Sequence, residues 1–247
     1  MSLAPFAEER LRLRAPARRL RFELVAESLE RFGDGRVLNV LDAGCGDGVF
    51  AVAIARKHPD WTIVGVDLRA ELLDRARARA ARSDVRNVEF RVSDLTRDLG
   101  IDTYDAVVAI ECLEEIEDDD EALARMRDAL RRGGLFVAHV PERRWTPAFG
   151  SSESVWRDEV RHGYDAAELS ARLEALGLEA ASVAPTCRTL VRAAQEVSDR
   201  IKGRSAALRA LALPGMVAAV RVERLGWTWG PPRALLATAV RAQSSPR

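Results

Sequence analysis

The sequence predicts an α/β fold built on a mostly parallel seven-stranded sheet with helices on both faces, and three observations carry that expectation. From residue 36 onward, short β-branched or aliphatic runs alternate with longer Ala/Arg/Leu/Glu segments of helical periodicity, the pattern of repeated βαβ units. One strand-like run, "VLNVLD", breaks into the glycine turn "AGCGDG" before helical spacing resumes at "VFAVAIARK". The chain of 247 residues, 47% hydrophobic and 31% charged, is also long enough to bury one sizeable core.

The elements follow in order. A helix near residues 7–32 precedes the sheet. Strands are expected over 36–42, 62–67, 88–92, 104–111, 134–140, 179–185 and 233–242, each a short aliphatic run. Helices fill the gaps at 49–57, 70–82, 118–131 and 165–176, with Asp165 as an N-cap and Gly133 and Gly177 as helix stops. Two segments interrupt the alternation. Residues 141–164 carry Pro, Gly, Ser and Trp where the chain leaves the fifth strand, the position at which α/β proteins build a lid or a substrate wall. Residues 188–230 form a helical insertion before the last strand. Its apolar centre, "AALRALALPGMVAAV", is too short and too interrupted by Arg209 and Pro214 to span a bilayer, which takes about 20 apolar residues. Packing on the domain or on a second subunit, as in a homodimer, is the main expectation for it, with peripheral contact to a membrane surface, or contact to a lipophilic substrate, as the lesser one. The whole reads as a single domain: a helical cap to residue 35, a core over 36–140, the lid over 141–164, a helix and sixth strand over 165–187, the insertion, and the last strand with its tail over 231–247.

Composition narrows the function classes. Lys+Arg and Asp+Glu both number 38, so no surplus charge draws the whole molecule to nucleic acid. Lysine occurs only at Lys57 and Lys202, so the abundance of arginine reads as compositional bias and single arginines carry little signal. Cys45, Cys112 and Cys187 are scattered and lack CxxC spacing, and with only His58, His139 and His162 beside them no metal site is expected. The N-terminal stretch has no continuous apolar run of the secretory type, which makes the cytoplasm the expected compartment.

The glycine turn carries the chemistry. A glycine-rich strand-to-helix connection lets backbone approach a ligand closely. Gly44, Gly46 and Gly48 do not follow the GxGxxG spacing of dinucleotide sites, and no P-loop lysine follows. Asp67 ends the second strand, where a carboxylate accepts the two hydroxyls of a ribose.

"LDAGCGDG" followed by "GVDL" resembles the first motif of class I S-adenosylmethionine-dependent methyltransferases, whose turn reads (D/E)xGxGxG. The resemblance continues in "VEFRVSDL", "YDAVVAIECLEEI" and "ALRRGGLFVAHVP", and covers residues 36–185 in order plus the final strand. It implies a Rossmann-like sheet whose last strand is antiparallel, S-adenosyl-L-methionine as cofactor and S-adenosyl-L-homocysteine as product. Carried over by residue, it implies that Asp42 faces the methionine ammonium while Ala43, Gly44, Cys45, Gly46 and Gly48 form the turn, Gly44 and Gly46 lying against the methionine part. Asp67 would hold the ribose, Leu68 would pack on adenine, Asp94 would accept from the adenine amino group with Leu95 beside it, and Glu111 and Cys112 would edge the cleft near the sulfonium. Two departures stand out: Glu115 occupies the place of a histidine common after the fourth strand, and Arg132 replaces a proline before the fifth.

Methyl transfer from a sulfonium requires chiefly an in-line nucleophile and exclusion of water. A base helps a hydroxyl acceptor, and His162 and His139 are the candidates. Trp145, Trp156, Arg161 and Tyr164 are the candidate substrate contacts, and with Phe149 their aromatic members point to an apolar or aromatic acceptor. The expected function is therefore methylation of an O, N or C atom of a small molecule. The other readings are an RNA or protein methyltransferase and a non-catalytic cofactor-binding scaffold.

Overall fold

The computed structural model describes residues 15–146, 160–201, 206–227 and 229–243. Helix α1 (Pro16–Gly33) leads into β1 (Asn39–Ala43), α2 (Val49–Lys57), β2 (Thr62–Asp67), α3 (Ala70–Arg82), β3 (Val88–Val92) and β4 (Tyr104–Ile110). A single 3₁₀ turn (Leu113–Glu115) precedes α4 (Asp119–Ala129), β5 (Leu130–Pro141), α5 (Ala166–Ala175), β6 (Leu178–Thr186), α6 (Thr189–Ile201), α7 (Ala206–Arg224) and β7 (Ala234–Arg241). The seven strands form one sheet in the order β3-β2-β1-β4-β5-β7-β6. All pairings are parallel except those of β7, which inserts antiparallel between β5 and β6. The last strand is thus antiparallel as the family resemblance implies, and it lies inside the sheet.

Alternation along the strands divides the core into two layers. Leu41, Ala43, Val64, Val66, Val107, Ala109, Phe136 and Ala138 face one side, under α4 and α5. Val40, Ile63, Ala106, Val108, Leu135 and Val137 face the other, under α1, α2 and α3. A third cluster, Ala17, Leu20, Cys187, Val191, Ala219 and Val220, joins α1 to the two helices of the insertion.

Local chemistry sets several boundaries. Asp165 caps α5 by accepting from the backbone of Ala167 and Glu168, and Gly177 follows the helix with φ +73°, as the sequence predicts. Gly133 is different. Helix α4 already ends at Ala129, and Gly133, also with positive φ, lies within β5 where the pairing steps from Tyr104–Leu130 to Ala106–Leu135. The glycine pair belongs to a strand bulge, which corrects its reading as a helix stop.

Strand order reverses between β1 and β4, so a crevice opens at the carboxyl ends of those two strands. The glycine turn leaves β1 there, and Glu111 and Cys112 leave β4 opposite it.

Candidate active site

The three glycines of the turn answer different demands. A Cβ on Gly44 would fall 2.5 Å from the Cβ of Cys112, and one on Gly48 would fall 2.6 Å from the Cβ of Ala76, so both are glycine because neighbouring elements pack against them. Gly46 has φ +54° and nothing within 4 Å of where its Cβ would be. It alone of the three presents bare backbone to open space, the cradle a side chain would fill.

The turn is held from several sides. The backbone N–H groups of Gly44 and Cys45 both donate to Val66 O, at 2.8 and 2.9 Å. Gly46 N–H donates to Asp67 Oδ2 at 2.9 Å. From α3, buried Arg79 donates to the carbonyl and the carboxylate of Asp47, each at 3.0 Å. Arg69 adds its backbone N–H and Nε to Asp67 Oδ1 and reaches toward Glu115 at 3.6 Å.

Asp42 lies beneath the turn, almost wholly buried. Burial, and then the charge of Asp67, push its pKa up to about 7, against one backbone hydrogen bond from Ala51 that favours the charged form. Its Oδ2 is buried without a hydrogen-bond partner. An orphaned acidic oxygen beside an open glycine backbone and a ribose-type carboxylate suits a nucleoside that carries an amine. The residues present therefore fit S-adenosylmethionine. At the rim, Leu68 exposes 67% of its surface, Leu95 is buried, and Asp94 is tied by its Oδ1 to the Thr96 backbone and hydroxyl, hydrogen bonds that lower its pKa.

Across the crevice, Cys112 is buried and donates its thiol to Ala43 O, and burial raises its pKa. Glu111 holds a positive φ of +50°, uncommon for a residue with a side chain. Its carboxylate meets Arg21 of α1 at 2.8 Å and His139 Nδ1 at 2.9 Å. Burial raises the Glu111 pKa, but Arg21, the His139 bond and Arg233 outweigh it and bring it to about 2. His139 is fully buried, with Nε2 3.0 Å from the Thr186 hydroxyl. Burial lowers its pKa more than Glu111 raises it, so the ring is neutral, with Nδ1–H donating to Glu111 and Nε2 accepting from Thr186.

The remaining acceptor-side residues scatter. Tyr164 is buried, its hydroxyl 2.6 Å from Asp119 Oδ2, and burial followed by that carboxylate raises its pKa. Arg161 pairs with Asp119 and Glu168, each at 3.2 Å, so this pair belongs to a network around the start of α4. Trp145 is buried, with the Arg233 guanidinium 4.6 Å above its ring. His162 is exposed. Trp156 and Phe149 lie outside the described residues. Arg21, Arg79 and Arg233, which shape this site, carried no sequence signal because the abundance of arginine hid them; the i, i+3 and i, i+4 spacing of Leu20, Glu23, Leu24 and Glu27 on α1 gives no hint that Arg21 points at the sheet.

Comparison with known proteins agrees with this geometry. Residues 40–134 match the family described as a methyltransferase domain. An uncharacterized methyltransferase of Mycobacterium tuberculosis is 38% identical over 98 residues, 40% of this chain and 48% of that protein. The ubiquinone biosynthesis O-methyltransferase of Acinetobacter baylyi is 32% identical over 98 residues, 38% and 40% of the two chains. The matched relatives also include methyltransferases of tRNA and rRNA. The chain thus spans about half the length, or less, of the curated relatives it matches. Among solved structures, phosphoethanolamine N-methyltransferase 2 of Haemonchus contortus, in complex with S-adenosyl-L-methionine, superposes with a TM-score of 0.65 at 20% identity, over 87% of this chain and 51% of that one. At that identity the likeness is one of fold. Residues 40–134 thus match a methyltransferase domain, and the glycine turn and strand order around them are those of a Rossmann-like fold.

Proposed function

We propose that this protein transfers a methyl group from S-adenosylmethionine to an O, N or C atom of a small molecule. The observation that carries the reading is the open backbone of Gly46 between the orphaned Asp42 Oδ2 and the carboxylate of Asp67. In this reading Asp42 receives the amino group of the cofactor, Asp67 the ribose hydroxyls, and Leu68, Asp94 and Leu95 the adenine, while Ala43, Gly44, Cys45 and Gly48 keep the turn in place. The cofactor supplies a methyl group already activated by the sulfonium charge. The chain's own work is to hold the acceptor in line and keep water out.

Glu111 and Cys112 border the acceptor side. A carboxylate with a pKa near 2 is a poor base but a strong hydrogen-bond acceptor, so Glu111 orients an acceptor O–H or N–H. Neutral His139, with both ring nitrogens engaged, positions Glu111. Exposed His162 is left as the candidate base, and Trp145 as the apolar wall. A small acceptor suits a crevice edge already bridged by the contact of Arg21 from α1 to Glu111.

Calorimetric titration with S-adenosylhomocysteine tests the reading on the wild type and on Gly46→Arg, with circular dichroism confirming that both fold. Binding by the wild type alone places the ligand at the turn and opens a screen of small acceptors with labelled methyl donor. A folded wild type that binds nothing removes the proposal. Methylation of RNA in place of every small acceptor would transfer it to a macromolecular substrate.

A further inference from the structure

Helix α7 has two apolar faces. Ala219 and Val220 pack inward with residues of α1 and α6, and Met216 is buried as well. On the outside, Leu211, Pro214, Ala218 and Arg221 follow one another at three- and four-residue spacing, and Leu225 and Trp227 continue the line past the helix end. Leu211 is 79% exposed, Leu225 76%, Trp227 74% and Trp229 57%. Between them lies an open depression of about 470 Å³ lined by Leu213, Pro214, Val217, Ala218, Arg221 and Val222. Large apolar side chains gathered in this way on a water-facing surface mark a place of contact.

Charge says what that contact is. Residues 188–233 contain nine basic and three acidic side chains, a net +6, so in a chain of net charge zero the remainder carries −6. The three acids are engaged locally: Glu223 accepts from the Arg188 backbone, Glu196 pairs with Arg200, and Asp199 accepts from Gln195. Glu23 and Glu27 of α1 neutralise Arg224 at the inner edge. Arg221, exposed in the middle of the apolar line, has no acidic partner among the described residues.

We propose that the insertion seats the protein on the surface of an anionic lipid bilayer, with Leu211, Leu225, Trp227 and Trp229 entering the headgroup region and Arg221, on the same line, meeting a lipid phosphate. Leucine and tryptophan beside arginine are the combination that lies in a membrane interface. No helix among the described residues is long and apolar enough to cross a bilayer, so the contact is peripheral. A second copy of the chain fits less well, because a two-fold interface would set +6 against +6. RNA would satisfy the charge but leave the leucines in water. The inference is independent of methyl transfer.

Vesicle co-sedimentation of the full chain tests it, using equal parts phosphatidylcholine and phosphatidylglycerol against phosphatidylcholine alone. The wild type is expected to sediment at least about tenfold more with the anionic vesicles and to be released by high salt. The triple variant Leu211→Asp, Leu225→Asp, Trp227→Asp should lose about tenfold or more of that binding while keeping its melting temperature. A blue shift of tryptophan emission on vesicles, absent from the double variant Trp227→Ser, Trp229→Ser, supports the same placement independently. Absence of wild-type sedimentation overturns the proposal, as does a folded triple variant that sediments like the wild type. Retention on RNA without vesicle binding, or a dimer dissolved by the triple variant without vesicle binding, overturns it as well.

Discussion

The carboxylate of Asp67 accepts the backbone N–H of Gly46 at 2.9 Å, joining the end of β2 to the turn that leaves β1. One side chain thus shapes the turn, and in the proposed function it also receives the ribose. Asp67→Ala should weaken S-adenosylhomocysteine binding by about 10- to 100-fold, the effect of losing hydrogen bonds to a charged group, as read by calorimetry. Unchanged affinity would remove Asp67 from the cofactor site.

Asp42 gives the site a pH signature. Its folded pKa of about 7 lies above the ordinary aspartate value of 3.8, so between those values the folded chain holds a proton that the unfolded chain has released. Stability contributed at this site therefore falls as pH rises from about 4 to 7. His139 acts in the opposite sense: its lowered pKa costs stability as pH falls through about 6.5, so wild-type curves mix the two. Asp42→Asn should remove only the first, raising melting temperature relative to wild type most at pH 8. When the amino group of the ligand meets Asp42 near pH 7, a proton should be released, visible as a buffer-dependent binding enthalpy that the variant lacks. An enthalpy independent of buffer in the wild type would contradict the pairing.

Around the start of α4, Asp119 accepts from Tyr164, Arg161 and Arg172, and its own side chain is only 4% exposed. Tyr164→Phe leaves both guanidiniums in place and should cost about 1 kcal/mol in urea unfolding. Asp119→Ala removes the charged acceptor of all three donors while Arg161 keeps Glu168 and Arg172 keeps Asp120, and should cost about 2–3 kcal/mol. Equal costs would mean that the phenol, and not the ion pairs, anchors the stretch that returns to β5.

Much of this architecture is written locally in the chain. Alternation in "TIVGVD" and "YDAVVAI" gives buried strands, and Gly44, Gly46 and Gly48 announce a turn that must admit something close. What local pattern does not contain is the partner of each glycine. That Gly44 and Gly48 are occupied by Cys112 and Ala76, leaving Gly46 alone open, follows from packing between elements far apart in sequence. The same reason hides Arg21, whose partner Glu111 lies 90 residues away, and misassigns Gly133, whose positive φ serves a strand bulge as readily as a helix end. Net charge is silent for a related reason, because a total of zero contains a segment at +6 and a remainder at −6.

Thr186 and Ala234 stand opposite each other where β6 and β7 begin their antiparallel ladder. In topological terms residues 187–233 are an enlarged hairpin connection whose two ends are already neighbours. Lengthening such a connection costs little chain entropy, and shortening it to a tight turn leaves every strand in register. The segment can therefore vary as a cassette up to Arg233 while the strands that carry the glycine turn stay in register.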